Sequence, residues 1–566
     1  MAKAEATVDE LVAKIERGEL RLPEMQRRYV WRSTRVRDLL DSLYRGYPSG
    51  AILLWETDED VPLQEFAVTQ QASPYQTRQL LLDGQQRLTS LSAVIRGQPV
   101  TVRGRRRPIE LLFNLEHPDD LAVVTEVEED GDDDDDEGVD SDTADSSDDE
   151  LLKRFSQLAF VVMTKKLEAR PEWIRVSEVF KTDSDAPFLK EAGVTSFEDP
   201  RYEKYTARLA RLRGVRKYMY RMDVLERSMS YDEVTEIFVR VNSLGAKLRS
   251  SDLALAQITA RWRGALEVFQ NFQVECNEVG FDLDLGLLLK NLVAFATGQS
   301  RFLTIGRLPV DLLKASWKDS VTGMEFALNF MRNNVGIDSP ALLASPFILI
   351  SLAAYAHRCG YDLGPAEAAN LRRWVLLVNA KGRYSRGSSE TILDQDLALI
   401  RGEGTVADLI TRLERQVGRL DIAPDELEGR NQRSALFKTM FLAFRAAGAK
   451  DWRSNLTIAL DHSGAQHKLQ FHHIFPKAVL KASYTSREAD DIANLAFIGG
   501  KTNRRISDKP PAEYLPELRA TIGDEPFQSQ CIPLDDALLG TAAYSAFLAE
   551  RRRAIAERLN AFLATS

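Results

Sequence analysis

The amino-acid sequence predicts a multidomain α+β protein: a mixed α/β N-terminal domain, a helical middle and a C-terminal domain of short strands and helices. Its 566 residues are too many for a single hydrophobic core. Short apolar runs alternate with helical stretches at first, whereas apolar residues recur at helical spacing from about Tyr231 to Ala447. From about Trp452 the pattern changes again. We therefore expect domains at residues 1–225, 226–430 and 431–566.

The N-terminal domain contains a regular succession of predicted elements. Helical spacing covers Val8 to Ile15 and Arg35 to Tyr44, and a further helix runs from Leu88 to Ile95. Apolar runs bounded by turn residues predict strands at Ala51 to Trp55, Leu80 to Leu82 and Ile109 to Leu115.

An acidic block interrupts this domain between Glu126 and Glu150. It contains 16 acidic residues and no Lys or Arg, and its removal would change the formal charge of the chain from −10 to +6. Such a low-complexity, self-repelling composition predicts a disordered insert at residues 126–150. A solvated linker is favoured over a segment that mimics DNA. The mildly basic remainder is compatible with a polyanionic partner.

The composition also limits where the protein works. No run of eighteen apolar residues occurs, so no membrane partner is expected, and the N-terminus does not resemble a secretory signal. Cys276, Cys359 and Cys531 are far apart and form no CxxC pair. This spacing argues against a disulfide framework and indicates a reducing, cytoplasmic location.

The C-terminal region holds most of the histidines. Four of the six fall between His462 and His473, and the pair His472 and His473 ends a short apolar strand. Asn494 follows His473 by 21 residues, and Asn503 comes nine residues after that.

These residue types suit the hydrolysis of a phosphodiester bond. The reaction needs a water that is deprotonated near neutral pH, which an imidazole can achieve, and a divalent cation to neutralise charge on the leaving oxygen. Neighbouring strand residues point to opposite faces, so His472 and His473 cannot both face one atom. We expect one to bind metal and the other to activate water, while the amide of Asn494 can hold the imidazole N–H.

The constellation resembles the HNH nuclease superfamily, which has a ββα-metal fold, in the form found in domain-of-unknown-function family 1524. The resemblance implies that His473 is the general base and that Asn494 orients it. It also implies that His472 and Asn503 are metal ligands, with Asn503 on the following helix. A His usually fills that last position, and with an amide there Mg²⁺ or Mn²⁺ is expected rather than zinc. Three basic residues of that helix are expected to contact DNA phosphates: Lys501, Arg504 and Arg505.

Other interpretations of this region stay open. The two histidines can be an ordinary pair beside a turn, and the basic residues can form a solvated helix face. A zinc site built from His462, His467 and His472 is a further alternative. The strand and the spacing of both asparagines favour the nuclease interpretation.

Two polar clusters mark the ends of apolar runs in the N-terminal domain. A glycine turn between a strand and a helix directs backbone N–H groups toward an anion. Arg87 adds a forked donor suited to phosphate, and Asp83 can hold a metal or a water. No GxxxxGK[ST] loop occurs. The first cluster runs from Leu22 to Trp31 and the second from Leu82 to Thr89. Their candidate binding residues are Gln26 and Arg27 in the first, and Asp83, Gly84, Gln85, Gln86, Arg87 and Thr89 in the second.

These clusters resemble domain-of-unknown-function family 262, which is related to ParB-like folds. A further similar stretch contains Arg240 and Asn242. The pairing of this family with the C-terminal one is the layout of GmrSD-type, modification-dependent restriction enzymes and of phosphorothioate-sensing relatives. The resemblance implies that the N-terminal domain binds and hydrolyses an NTP and thereby regulates DNA cleavage. Whether the NTP is GTP, ATP or CTP is left open.

The sequence thus predicts an endonuclease of a bacterial anti-phage defence system, whose partners are an NTP and DNA with or without a modification. The number of subunits is left open, a homo-oligomer included. Two other functions remain alternatives: a nucleotide-switched DNA-binding protein with an inactive nuclease module, and a toxin-like nuclease that acts on RNA or host DNA.

Overall fold

The computed structural model describes residues 2–26, 31–66, 68–70, 78–102, 108–119, 155–244, 249–460, 462 and 468–564. The protein has the mixed α+β composition that the sequence predicts and is about 58% helical. The chain forms two compact units, Met1–Leu266 and Glu267–Ser566. The domain boundaries expected at residues 225 and 430 remain predictions.

Strands and helices are numbered in chain order over the described residues. The strands are β1 (Ala2–Thr7), β2 (Leu20–Pro23), β3 (Ile52–Thr57), β4 (Leu63–Gln64), β5 (Arg78–Asp83), β6 (Leu111–Asn114), β7 (Phe160–Val162), β8 (Trp173–Arg175), β9 (Met219–Leu225), β10 (Leu469–His473) and β11 (Leu495–Gly499). The helices of the first unit, the last of which continues into the second, are α1 (Val8–Glu16), α2 (Ser33–Arg45), α3 (Gln85–Ile95), α4 (Lys165–Glu168), α5 (Val176–Lys181), α6 (Ala186–Glu191), α7 (Arg201–Arg213), α8 (Tyr231–Leu244), α9 (Ser250–Arg261) and α10 (Ala265–Glu278). Those that follow are α11 (Leu285–Thr297), α12 (Val310–Phe330), α13 (Phe347–Arg358), α14 (Pro365–Lys381), α15 (Ser389–Arg401), α16 (Val406–Val417), α17 (Ala435–Ala446), α18 (Lys477–Leu480), α19 (Ser486–Ala489), α20 (Gly500–Ile506), α21 (Pro511–Ile522), α22 (Glu525–Gln528) and α23 (Tyr544–Ala564).

The first unit is built on a six-stranded mixed sheet in the order β1-β9-β3-β5-β2-β4. Its strand β5 is buried on both faces: Leu81 packs into one core, while Leu80 and Leu82 pack into another on the opposite face. A strand covered on both sides needs apolar residues at consecutive positions, which explains the unbroken leucine run in the sequence. The strands predicted within β3 and β5 are confirmed, as are the helices α1, α2 and α3.

A second, three-stranded sheet in the order β7-β6-β8 lies in the same unit. Its strands β6 and β7 pair antiparallel, from Leu111 opposite Val162 to Phe113 opposite Phe160. The predicted disordered insert at residues 126–150 lies outside the described residues, between these two strands. The pairing therefore brings the two chain segments that flank the insert side by side.

The second unit is helical up to α17, as the spacing of apolar residues predicts for the middle of the chain. A buried ion pair lies within it: both carboxylate oxygens of Asp396 accept hydrogen bonds from the Arg383 guanidinium, at 2.7 and 2.6 Å. Tyr384 donates to the same carboxylate at 2.7 Å. Over the described residues, no helix is at once long and apolar enough to cross a membrane.

Candidate functional site

The predicted nuclease residues lie on a strand–strand–helix unit near the C-terminus. β10 pairs antiparallel with β11, so that His473 lies opposite Leu495 and Leu469 opposite Gly499. All five residues of β11 are buried, and α20 follows it without a loop. Asp451 fixes this junction by accepting hydrogen bonds from the backbone of Gly499 at 2.6 Å and from the hydroxyl of Thr502 at 2.9 Å.

At the centre of β11, the free edge of the strand is covered by one side chain. The Gln530 amide accepts a hydrogen bond from the backbone N–H of Phe497 at 2.8 Å and donates to the Phe497 carbonyl at 2.9 Å. Arg551, which is fully buried, donates to the carbonyls of Ala493 and Gln530 at 2.8 and 3.0 Å. These contacts hold β11 and the turn before it in place.

His472 and Asn503 are in direct contact. The Nδ1 atom of His472 lies 2.8 Å from the Oδ1 atom of Asn503, whose amide nitrogen donates to Gln470 at 2.6 Å. The Nε2 atom of His472 lies 3.2 Å from the hydroxyl of Tyr514. Burial lowers the pKa of His472 to about 4, which keeps the imidazole neutral near pH 7.

The hydrogen bonds of Tyr514 provide a test of whether His472 and Asn503 together suit a cation. The Tyr514 hydroxyl donates to the carbonyl of Ile474 at 3.0 Å, which leaves its oxygen able to accept from the Nε2–H of His472 in one tautomer of that ring. In that tautomer Nδ1 carries a lone pair and faces the Oδ1 atom of Asn503. Those two lone pairs, 2.8 Å apart, can bind one cation together, whereas in the other tautomer Nδ1–H donates to Oδ1 of Asn503. A second hydrogen bond on the far nitrogen is also typical of a histidine that binds metal, so the residues fit a divalent ion.

His473 has a different set of partners, as the alternation of strand side chains predicts. Its Nε2 atom lies 2.8 Å from Oδ1 of Asp490, and the other oxygen of Asp490 accepts from Lys477 at 2.9 Å. Burial lowers the pKa of His473, against the opposing effect of its hydrogen bond to Asp490. Its Nδ1 atom has no hydrogen-bond partner among the described residues, so a neutral imidazole that donates through Nε2 keeps Nδ1 as a proton acceptor.

Asn494 does not contact the imidazole of His473, and the structure corrects that expectation. The amide oxygen of Asn494 accepts from the backbone N–H of Phe475 at 2.9 Å, and its nitrogen donates to the carbonyls of Phe475 and Ala489 at 3.0 and 2.9 Å. The side chain is completely buried at the start of β11 and is saturated by backbone groups. It therefore fixes the loop that follows His473, while Asp490 holds the ring.

The remaining C-terminal candidates lie around this unit. Lys501, Arg504 and Arg505 are exposed on α20. His462 bonds to the carbonyl of Thr457 at 2.8 Å, and His467 lies outside the described residues. Over the part of the chain that the structure describes, no group of three or more His, Cys, Asp or Glu side chains is placed to hold a metal. The zinc alternative thus has no support in the described residues.

In the first unit the predicted glycine turn joins β5 to α3. Gly84 has a φ of 98°, and a Cβ atom there would lie 2.4 Å from Ile52, so only glycine fits the turn. Gln26 is buried and donates to the carbonyls of Leu81 and Leu82 at the end of β5. The two polar clusters predicted from the sequence are therefore adjacent.

Arg87 is engaged by the protein itself, in contrast to the predicted role as a phosphate donor. Its guanidinium donates to the carbonyls of Ser49 and Ala51 and to Asp83 at 3.2 Å, and its side chain is only 15% exposed. Gly50 beside it has a φ of 87°, a backbone conformation that favours glycine. Since the turn before β3 runs past the start of α3, Arg87 holds that turn instead of pointing to solvent.

The other candidates for nucleotide binding differ in exposure. Gln85 and Thr89 are buried in α3, and Gln86 accepts a hydrogen bond from the backbone of Trp31 at 3.2 Å. Arg240 is 74% exposed and pairs with Glu236 on α8. Arg27 and the side chain of Asn242 lie outside the described residues.

Glu24 is a buried carboxylate within the first polar cluster, and the sequence analysis assigned no role to it. Both of its oxygens accept a hydrogen bond from the backbone N–H of Gly264, each at 3.1 Å, just before α10 begins. Burial raises the pKa of Glu24 to about 7. Its only signal in the sequence is its position two residues before Gln26.

Residues 8–259 match the family model of the GmrSD restriction endonuclease, N-terminal domain. The matched segment begins at α1, contains both polar clusters and ends within α9. It therefore confirms the N-terminal part of the predicted GmrSD-type layout, whereas the assignment of the C-terminal unit to HNH nucleases stays a prediction.

A second comparison extends over nearly the whole chain. The uncharacterized protein MJ0686 of Methanocaldococcus jannaschii is 24% identical over 554 residues, which cover 90% of this chain and 86% of that protein. The similarity to this relative therefore includes the C-terminal unit as well as the segment that matches the GmrSD N-terminal domain.

Proposed function

We propose that this chain is a GmrSD-type, modification-dependent DNA endonuclease of a bacterial defence system. It cuts DNA at the β10–β11–α20 unit, and NTP binding and hydrolysis in the first unit regulate the cut. The observation that carries the proposal is the placement of His473 beside the His472–Asn503 pair, in a chain whose first unit matches the GmrSD N-terminal domain.

His473 is the proposed general base. Its Nε2–H donates to Asp490, which leaves Nδ1 to take a proton from the attacking water. When the ring becomes an imidazolium, the carboxylate of Asp490 stabilises the charge and keeps the tautomer fixed. Lys477 pairs with the other oxygen of Asp490 and thereby favours its ionised form.

His472 and Asn503 are the proposed ligands of Mg²⁺ or Mn²⁺. Nδ1 of His472 and Oδ1 of Asn503 already face each other, and Tyr514 holds the far nitrogen of the imidazole. A divalent cation supplies charge neutralisation at the scissile phosphate and its leaving oxygen. Asn494 acts at a distance, because it holds the backbone of Phe475 and so the loop that follows the two histidines.

Regulation by an NTP is proposed for the β5–α3 turn. Asp83 and the N-terminus of α3 are the groups there that can meet a nucleotide and its cation, while Arg87 holds the adjacent turn in shape. The match of residues 8–259 to a restriction-endonuclease domain supports a link between this turn and DNA cleavage. GTP, ATP and CTP are all candidates.

Cleavage of supercoiled plasmid with Mg²⁺ or Mn²⁺ tests the catalytic assignment. His473→Ala is expected to lower the rate of cleavage by at least about 100-fold, which is the lower end of the rate enhancement that a general base contributes. His357→Ala, which changes an exposed histidine of α13, is the matched control and is expected to cut at the wild-type rate. Full metal-dependent cleavage by His473→Ala would refute the assignment.

Nucleotide turnover tests the first unit separately. Asp83→Asn is expected to lower the hydrolysis of the preferred NTP, whereas Asp232→Asn on the exposed face of α8 is expected to leave it unchanged. GTP, ATP and CTP are offered in turn, with plain, glucosylated and phosphorothioated DNA. Undiminished turnover by Asp83→Asn would remove the β5–α3 turn from the proposal.

One observation favours an alternative, a nucleotide-switched DNA-binding protein with an inactive nuclease module. The proposed metal pair contains an amide, and no third His, Cys, Asp or Glu joins it among the described residues. DNA binding without any product, under every metal and nucleotide condition, would select this alternative. Cleavage of RNA in preference to all DNA forms would instead identify a toxin-like nuclease.

A further inference from the structure

A cavity of about 180 Å³ lies beside the proposed nuclease site. It is at the end of the hairpin where Leu469 pairs with Gly499, which is the opposite end from His473. Pockets that take whole small molecules or cofactors are usually about 300–1,000 Å³. This cavity is therefore sized for one chemical group of a larger ligand.

Three cationic side chains line the cavity: Arg453, Lys501 and Arg505. All three are exposed, and none forms an ion pair with any residue that the structure describes. Other arginines of the same unit are paired, such as Arg519 with Asp524 at 2.9 Å. Unpaired cations that converge on one cavity favour an anionic ligand.

The single carboxylate of the lining does not neutralise them by contact. Asp451 is buried, and its Oδ2 atom accepts from the backbone of Arg453 and Ser454 at 3.1 and 2.7 Å, while Oδ1 accepts from Gly499. Burial acts to raise the pKa of Asp451, but the hydrogen bonds from Ser454 and Gly499 outweigh it and hold the pKa below its usual value. Asp451 thus shapes the cavity and leaves the three side-chain cations to a ligand.

The rest of the lining combines four polar side chains, Ser454, Thr457, His462 and Thr502, with three apolar ones. The apolar ones are Leu456, Ile458 and Leu469, and Leu456 is 40% exposed. A ligand that combines an anion with a less polar body matches both parts of the lining, and a nucleotide of a nucleic-acid strand has that composition.

The position of the cavity relates it to the proposed cut. α20 carries Asn503, which contacts His472, and also Lys501 and Arg505 of the cavity. Along β10, His472 comes three positions after Leu469, which corresponds to a distance of about 10 Å at about 3.3 Å per residue. For a duplex whose axis runs along β10, this distance equals about three nucleotides at an axial rise of about 3.4 Å per nucleotide.

We infer that this cavity binds one sugar–phosphate unit of the DNA strand, about three nucleotides from the phosphodiester that is cut. The phosphate is held by Arg453, Lys501 and Arg505, and the sugar contacts the apolar part of the lining. The inference rests on the proposed function, since it takes the β10–β11–α20 unit as the place of cleavage. It adds Arg453, a residue outside α20, to the DNA-binding surface. It also fixes the number of nucleotides between this surface and the phosphodiester that is cut.

Binding of labelled duplex DNA to the full chain, with divalent ions chelated so that no cutting occurs, tests the cavity. The double variant Arg453→Ala, Arg505→Ala is expected to bind about 10-fold more weakly and to lower the slope of log affinity against log salt by about 2. Arg415→Ala, which removes an exposed arginine of α16, is the control and is expected to bind as the wild type does. Unfolding curves verify that both variants are folded.

A series of duplexes, each with one neutral methylphosphonate linkage, tests the register. In the wild type, one linkage about three nucleotides from the cut is expected to weaken binding about 10-fold, and in the double variant the same linkage is expected to have no further effect. If no linkage distinguishes the two proteins, or if the double variant binds with wild-type affinity and salt slope, the inference is overturned. Tighter binding of RNA of the same sequence through these arginines would also overturn it. A wild-type chain that binds DNA through this cavity but never cuts would refute the proposed function alone.

Discussion

At the scale of single residues, the adjacent histidines His472 and His473 show how one strand can supply two chemical functions. Alternation along β10 gives His472 the partners Asn503 and Tyr514, whereas His473 meets Asp490. The division of labour follows from strand geometry and could be predicted from the sequence. The partners could not, because Asp490 and Tyr514 lie 17 and 42 residues from the histidines they contact.

Tyr514→Phe is expected to weaken binding of Mn²⁺ by about 10–100-fold, because it removes the hydrogen-bond partner that fixes the tautomer of His472. Titration of the full chain with Mn²⁺, followed by electron paramagnetic resonance, measures the affinity. Tyr484→Phe, whose ring contacts Tyr544 instead, is the control. Equal Mn²⁺ affinity in Tyr514→Phe and the wild type would show that the phenol does not support the metal ligand.

Asp490→Asn is expected to lower kcat by about 100-fold or more while KM for DNA stays near the wild-type value. The amide no longer stabilises the imidazolium of His473 as a carboxylate does, yet the substrate contacts are retained. Steady-state cleavage kinetics separate the two parameters. A rise in KM with kcat unchanged would assign Asp490 to DNA binding instead of to positioning the base.

Glu24 makes the stability of the first unit depend on pH. The pKa of its carboxyl is about 7 in the folded chain, above the ordinary value of 4.5, so the folded state keeps a proton that the unfolded state has released. The free energy of unfolding therefore falls as the pH rises from about 4.5 to about 7, by up to about 3 kcal/mol for this group.

Glu24→Gln lacks this titration but can still accept the hydrogen bond from Gly264. Its Tm relative to the wild type is therefore expected to rise between about pH 5 and about pH 8, as calorimetry of the full chain would measure. Glu5→Gln, on the exposed part of β1, is expected to show no such trend. A difference in Tm that is constant with pH would contradict the raised pKa.

At the scale of elements, the sequence predicts the strands and helices better than the contacts that hold them. The runs at Leu80 to Leu82 and Leu469 to Phe471 become parts of β5 and β10, because apolar spacing is a local property. The edge strand β1 and its neighbour β9 were missed. Each of them mixes charged and apolar residues over a single short stretch. Their pairing, which places Ala2 opposite Val224, joins segments that are separated by most of the sequence of the first unit.

The pairing groups at the centre of the free edge of β11 depend on one distant side chain. Gln530→Ala would leave the N–H and the carbonyl of Phe497 without the partners they have in the folded chain, which costs about 1–3 kcal/mol for each buried group. Hydrogen exchange of the Phe497 amide, followed by mass spectrometry, is expected to speed up accordingly. Gln528→Ala, at an exposed position of α22, is the control. Unchanged protection of β11 in Gln530→Ala would show that other contacts fix the strand.

At the scale of the whole molecule, charge is distributed very unevenly along the chain. The formal charge of −10 arises entirely from residues 126–150, without which it would be +6. The flanking strands β6 and β7 are paired neighbours, so a shortened connection between them is compatible with the fold. The acidic residues can therefore be removed without disturbing the sheet that borders them.

Replacement of the 16 acidic residues by Asn and Gln at constant length is expected to increase DNA affinity several-fold at low salt. The gain is expected to shrink at high salt, since long-range repulsion between the block and the phosphates is screened. Fluorescence anisotropy at about 50 mM and about 300 mM salt measures both. Deletion of the block with a short linker separates length from charge. If the neutral block leaves the affinity unchanged at low salt, the acidic residues do not oppose DNA binding.

The amide of Gln530 has a consequence for how this protein meets other molecules of its own kind. An uncovered strand edge is a template on which another chain can add a strand and begin to aggregate. Because Gln530 already occupies the N–H and the carbonyl at the centre of β11, a second polypeptide finds no free pairing groups at Phe497. Strand addition by a second copy of this chain is therefore blocked at Phe497.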